Sequence, residues 1–261
     1  EADADHNRAV MTFVGEPEAV LEGAFQSVAR AAALIDLNSH QGSHPRLGAA
    51  DVVPLVPIQG ISMDECVALA RRLGQRVGDE LGLPVYLYEE AATRPERRNL
   101  ADVRRGEYEA LRDAIGQDPA RQPDFGPARL GPAGAVIIGA RPALIAFNVY
   151  LNTDQVEVAR AIAKAVRHSS GGLRYVKALG LLVDGQAQVS MNLTDYRQTP
   201  VARVVETVRR EAQRYGAAIT RSEVVGLLPA EALYDAAAYY LQLAGFTPAQ
   251  VLETRLVDQG E

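Results

Sequence analysis

The stretch 144–221 constrains the fold more than any other, because six runs of alternating character follow one another there without interruption. Residues 144–150 are strand-like, and 154–168 carry apolar residues at helical spacing behind Thr153, the expected N-cap. Two further strand-like runs, 173–182 and 187–193, flank Val183-Asp184-Gly185-Gln186. An Asp-Gly pair between apolar runs predicts a tight hairpin. Residues 200–215 are helical again, with Thr199 as N-cap and Pro200 in the favoured first position. Residues 217–221 read as a last strand. This strand–helix–strand–strand–helix–strand order is the split βαβ, ferredoxin-like plan. A closing helix over 229–243 is apolar enough to pack on that sheet or on a partner.

The first half reads as an incomplete relative of the second. A β-type run at 9–14 leads into helical spacing over 18–37. The apolar run 51–58 contains Pro54 and Pro57, which suits a strand that is bent or close to an edge. Ser62 with Glu65 three residues later forms a capping box, predicting a helix to about residue 80. Residues 85–88 and 135–138 are further strands. Between them, 93–122 is polar and arginine-rich with a helix expected over 106–115. The stretch 123–134 holds three glycines and three prolines and cannot be regular. The fold class expected is therefore α/β (α+β), in two lobes over 1–141 and 142–261, each with a mixed β-sheet and helices on one face.

Composition narrows the function. A net charge of −6 argues against nucleic acid as a main partner, since phosphate binding needs a cationic surface. Cys66 is the single cysteine, so neither an internal disulfide nor a cysteine-based metal cluster can form. Its helical surroundings predict a small buried side chain rather than a nucleophile. No apolar run is long enough to cross a membrane as a helix, and no signal-peptide pattern opens the chain, so the cytoplasm is expected. The chain starts at Glu1 without an initiator methionine, as a processed or truncated chain would.

The chemistry concentrates in residues 40–51, His-Gln-Gly-Ser-His-Pro-Arg-Leu-Gly-Ala-Ala-Asp. His40 and His44 lie four residues apart, with Arg46 just beyond and glycines that permit tight turning. A loop this rich in titratable groups is a candidate site. His168, at a predicted helix end, is expected to be a C-terminal cap.

A series of short motifs then points to a family. Thr12-Phe13-Val14-Gly15, Leu34-Ile35-Asp36, His44-Pro45-Arg46-Leu47-Gly48-Ala49, Ser62-Met63-Asp64-Glu65-Cys66 and Pro84-Val85-Tyr86-Leu87-Tyr88 occur in order. They continue through Arg105-Gly106-Glu107-Tyr108-Glu109-Ala110-Leu111, Pro123-Asp124-Phe125-Gly126-Pro127 and Leu144-Ile145-Ala146-Phe147-Asn148. Val189-Ser190-Met191-Asn192-Leu193 and Glu223-Val224-Val225-Gly226-Leu227-Leu228-Pro229 complete the set. Over nearly the whole chain the pattern resembles the formiminotransferase domain, which is found alone in bacteria and fused to a cyclodeaminase in animals.

The resemblance implies transfer of a formimino group from N-formiminoglutamate to N5 of tetrahydrofolate, a co-substrate, with release of glutamate and no metal. It implies two ferredoxin-like lobes with substrates bound in the cleft between them, usually in a homodimer. It makes His44 the catalytic histidine. It assigns folate binding to Gly126-Pro127-Ala128-Arg129-Leu130-Gly131-Pro132-Ala133-Gly134, one residue shorter than the family segment. The elementary chemistry agrees: the attacking amine loses a proton, the departing nitrogen gains one, and one histidine can do both. Arg46 and Arg8 are candidate clamps for substrate carboxylates, with His40 and Asp51 as further substrate-binding candidates. His6 is a candidate for orientation or contact. Family members begin with a strand and helix carrying an Asn-Phe-Ser-type motif that this sequence lacks, so its first sheet is expected to be short of those elements. The cyclodeaminase is also missing, so the product is not passed onward within the chain. Another donor (formiminoglycine, N-formylglutamate or 5-formyltetrahydrofolate) and a folate-binding module without turnover remain open on the residues alone.

Overall fold

The computed structural model describes residues 2–3, 7–42 and 44–258, in two compact units, 1–142 and 143–261. In the first, a two-stranded antiparallel ribbon, β1 (Ala2–Asp3) and β2 (Arg8–Ala9), precedes helix α1 (Pro17–Leu34). Of the strand expected over 9–14 only Ala9 lies in β2, and Val10, Met11 and Val14 are exposed. There follow β3 (Val52–Leu55), α2 (Met63–Leu81), β4 (Val85–Glu89), the short α3 (Leu100–Val103), α4 (Glu107–Ala114) and β5 (Val136–Ala140). Ser62 and Glu65 form the expected capping box, and Gly82 closes α2 in the left-handed conformation.

The first sheet has the order β3-β5-β4, and both pairings are parallel. The mixed sheet expected here is thus parallel throughout, and the reason lies in the connections. A parallel neighbour needs a long crossover, and residues 90–135 supply one between β4 and β5. Helices also cover both faces rather than one. Val85 and Leu87 turn toward α1 and α2, where Leu21, Phe25, Val28, Ala70, Leu73 and Val77 are buried. Tyr86 and Tyr88, one residue out of phase, pack with Val103, Leu111 and Ile115 from the α3–α4 side. Cys66 is buried in the first of these clusters, and burial pushes its thiol up, as fits a packing role.

The second unit runs β6 (Ile145–Leu151), α5 (Val156–Val166), β7 (Val176–Val183), β8 (Gln186–Leu193), α6 (Val201–Gln213) and β9 (Ile219–Val225). Helices α7 (Ala230–Leu241) and α8 (Leu252–Asp258) follow. This is the strand–helix order read from the sequence. The sheet order is β7-β8-β6-β9, every pair antiparallel, so α5 crosses over β8 and α6 over β6. Here too the sheet is of one kind rather than mixed. Asp184 and Gly185 take φ of 50° and 75°, the left-handed pair a two-residue hairpin demands. Ile145, Phe147, Val149 and Leu151 point into one core with Ile162, Val166, Val204 and Val208 of α5 and α6. Neither threonine caps its helix; the N-caps are Gln155 and Pro200. Thr153 Oγ1 accepts from Gln155 N ahead of the helix, and Thr199 Oγ1 donates instead to the Arg174 carbonyl at 2.6 Å. His168 opens a short 3-10 turn beyond α5 rather than capping the helix, whose C-cap is Arg167. Among the described residues no helix is long and apolar enough to cross a membrane.

Candidate active site

The parallel pairing of β3 with β5, Val52 opposite Ile137, brings the loops that precede both strands side by side. One is the histidine loop, the other the glycine–proline loop. They are laced by backbone hydrogen bonds: Leu37 N–H to Pro132 O at 2.7 Å, Ala49 N–H to Ala133 O at 2.9 Å, and Ala135 N–H to Leu47 O at 3.0 Å. Gly48 and Gly134 form an antiparallel bridge between them. A Cβ on Gly134 would sit 2.8 Å from Gly48 Cα and overlap the Leu47 carbonyl oxygen, and φ there is +70°. This approach requires glycine on steric grounds alone.

Asp51 is the anchor of the histidine loop. Its Oδ1 accepts from Leu47 N–H at 2.7 Å, closing the turn, and its Oδ2 accepts from the Arg104 guanidinium. Arg46 ties the same loop to α4. It donates to both carboxylate oxygens of Glu109, at 2.9 and 2.7 Å, to Glu107 at 3.1 Å, and to the His40 carbonyl at 3.3 Å. The Tyr108 N–H donates to the Arg46 carbonyl, and the Tyr108 hydroxyl to Asn38 Oδ1 at 3.0 Å. His40 is held through Nε2, 3.0 Å from the Asn7 carbonyl, and its Nδ1 is buried without a partner among the described residues. Arg8 is exposed on β2. His6 lies outside the described residues.

His44 is half-buried at the centre of this loop. Its imidazole is shifted below the ordinary histidine value, first by burial and then by the positive charges of Arg8 and Arg104. Asp51 and the Pro45 backbone pull the other way. The balance favours the neutral ring at neutral pH.

The candidate folate segment divides. Gly126 sits against the Leu83 carbonyl and Gly78 of α2, with φ of +78°, and Ala128 neighbours Gly116. Pro127 and Ala128 are half-buried, Arg129 is exposed, and Leu130 packs against the Tyr86–Leu111 cluster. Pro132, Ala133 and Gly134 are the residues laced to the histidine loop. Gly131 is exposed, and a Cβ there would meet nothing within 4 Å. The structure therefore laces the loop that carries His40, His44, Arg46 and Asp51 to 132–134, while 126–128 packs elsewhere on the first unit.

The sequence reading missed Arg104, Glu107, Tyr108 and Glu109, which hold the loop in shape. The only signal for three of them was the motif 105–111, which carried no role. It also missed Asp124, which accepts from Arg97, Thr93 and the Leu87 N–H and so fixes the start of the glycine–proline loop on β4. Among the described residues, no group of three or more His, Cys, Asp or Glu is gathered as a metal site.

The chain is similar to known proteins along nearly its whole length. The family profile described as "Formiminotransferase domain, N-terminal subdomain" matches residues 1–141, and that described as "Formiminotransferase domain" matches 146–254. The chain is 51% identical over 260 residues to the glutamate formimidoyltransferase of Thermoplasma acidophilum, covering 98% of this chain and 86% of that protein. It is 45% identical to the Streptococcus pyogenes serotype M1 protein of the same name, covering 98% and 87%. Against the formimidoyltransferase-cyclodeaminase of Rattus norvegicus the identity is 46% over 92% of this chain and 46% of that protein. Two profile matches that together span the chain, and relatives this similar along nearly all of it, lead to one conclusion: the chain belongs to the formiminotransferase family.

Proposed function

We propose that this chain transfers the formimino group of N-formiminoglutamate to N5 of tetrahydrofolate, a folate-dependent step of histidine degradation and one-carbon metabolism. The observation that carries the reading is the lacing of the His44 loop to the 131–134 loop, in a chain about half identical to named glutamate formimidoyltransferases. Tetrahydrofolate supplies the nucleophilic nitrogen. The new N–C bond forms as the bond from carbon to the glutamate nitrogen breaks, and one proton must move between the two nitrogens. In this reading neutral His44 takes the proton from the attacking nitrogen and returns it to the leaving one, so no net charge accumulates. Its depressed pKa supports the base role. The open space over Gly131 supports the approach of a flat ring to this loop.

Arg8 is the exposed cation of the site and the proposed carboxylate clamp. Arg46, whose two terminal guanidinium nitrogens donate within the protein, and Asp51, whose two carboxylate oxygens accept there, serve as positioning residues, and His40 orients the loop. Residues 1–141 and 142–261 act as the two subdomains, the second on a ferredoxin-like plan. The reading extends to a cytoplasmic homodimer, supported by the exposed Leu233, Tyr239 and Leu241 of α7. The test is release of glutamate from a panel of donors in the presence of tetrahydrofolate. Turnover with formiminoglutamate, and not with N-formylglutamate or formiminoglycine, is expected. Preference for another donor would replace the substrate assignment while keeping the transferase.

A further inference from the structure

Tyr108, the second residue of α4, stands where three segments meet that are far apart in sequence. It is 3% exposed. At one end its backbone N–H donates to the Arg46 carbonyl at 3.0 Å, two residues beyond His44. At the other end of the side chain its hydroxyl donates to Asn38 Oδ1 at 3.0 Å and lies 3.5 Å from the Gly131 carbonyl oxygen. One hydroxyl proton faces two acceptor oxygens, and the shorter distance gives it to Asn38. The Gly131 carbonyl also accepts from Gly134 N–H at 3.0 Å, so it belongs to the turn that is laced to the histidine loop.

Both ends of Tyr108 are braced. Asp36 Oδ1 accepts from Asn38 N–H at 2.9 Å and from Asn38 Nδ2 at 2.8 Å, which leaves Asn38 Oδ1 for the hydroxyl. At the backbone end, Glu107 is held at φ +57°, directly after Gly106 at +82°. A residue with a side chain keeps that conformation where its surroundings over-determine it. Arg46 does so here, its guanidinium donating to the Glu107 carboxylate at 3.1 Å and its carbonyl accepting from the next N–H along. Packing alone asks only for the ring of Tyr108. Its hydroxyl adds a polar tie from a buried body to the loops at 38 and 131.

We propose that Tyr108 is a positioning residue for the transfer reaction, coupling the turn at 131–134 to the setting of the loop that carries His44. The inference rests on the proposed reaction, in which the folate ring approaches over Gly131. Such coupling is reciprocal: a ligand seated on the turn stiffens the histidine loop, and a well-set histidine loop favours the ligand.

The test compares the full chain with Tyr108→Phe, Asn38→Ala and the double variant. Tyr108→Phe keeps the ring, and Asn38 is exposed, so its freed oxygen finds water and the melting curve should match the parent's. The value of kcat should fall about tenfold, short of the roughly hundredfold that a misplacement of about 1 Å can cost, with KM for formiminoglutamate within about twofold. Asn38→Ala should do the same, and the double variant no worse, as for two residues that serve one contact. Hydrogen exchange gives a readout without turnover. Tetrahydrofolate should slow exchange at 46–49 and 108 in the parent by about fivefold or more, and in Tyr108→Phe should slow only 131–134. An unchanged kcat in Tyr108→Phe, additive losses in the double variant, or no protection at 46–49 in the parent would each overturn the proposal. If the parent does not turn over formiminoglutamate, the reaction reading fails by itself, while the exchange experiment still decides the coupling.

Discussion

Replacing Asp124 by alanine removes the buried anion that fixes the start of the glycine–proline loop. The Arg97 and Asp124 side chains are 4% and 9% exposed. The carboxylate accepts from Arg97, from Thr93 Oγ1 and from Leu87 N–H at 2.8 Å. Truncation strands the guanidinium without its counter-charge, a loss of about 3–5 kcal/mol. The orphaned Leu87 N–H adds about 1–3 kcal/mol. Gln122 O still accepts from Arg97, which holds the total toward the lower end, about 4–5 kcal/mol. That is a large share of the roughly 5–15 kcal/mol that holds a domain folded. The assay is urea unfolding followed by far-UV circular dichroism and tyrosine fluorescence, the chain having no tryptophan. The double substitution Arg97→Met with Asp124→Leu removes both charges and should recover much of the loss. A cost below about 1 kcal/mol for Asp124→Ala, the level of an exposed pair, would contradict this role for the buried carboxylate.

Two further predictions concern the loops themselves. Gly134→Ala forces a Cβ onto the Leu47 carbonyl at a positive φ, and should destabilise by about 2–5 kcal/mol on strain and overlap combined, measured by the same unfolding assay. The acidic limb of the kcat/KM pH profile should lie below the ordinary histidine range, because His44 must be neutral and its pKa is lowered. Arg104→Gln removes a charge that lowers it and should move the limb to higher pH. Asp51→Asn removes a charge that raises it and should move the limb lower. For stability the sign follows the same shift. The unfolded chain binds this proton more tightly, so the stabilising contribution of neutral His44 is present above the ordinary histidine value and is lost as pH falls below it.

Local features were readable in the sequence where local chemistry decides them. Asp184-Gly185 specified its hairpin because only such residues take both left-handed conformations cheaply, and Ser62 with Glu65 satisfied the first turn of α2 by themselves. Thr153 and Thr199 misled because a hydroxyl beside a helix start has other partners. The carbonyl that claimed Thr199 lies 25 residues away. Strand direction was hidden, since the apolar runs of β3, β4 and β5 look the same in either orientation. The candidate site was half legible. His44 and the glycine–proline loop each stood out, but their lacing depends on the β3–β5 pairing between residues far apart in sequence. Arg46 looked like a substrate clamp, yet its bidentate partner Glu109 sits 63 residues away, beyond any local pattern.

The most direct test of the account is steady-state kinetics of His44→Ala beside calorimetric binding of tetrahydrofolate to the same protein. If His44 moves the proton, kcat should fall by roughly 10²–10⁴, the usual range for a general acid–base, while tetrahydrofolate affinity is largely kept. Undiminished turnover in His44→Ala would contradict the assignment of His44 as the proton carrier.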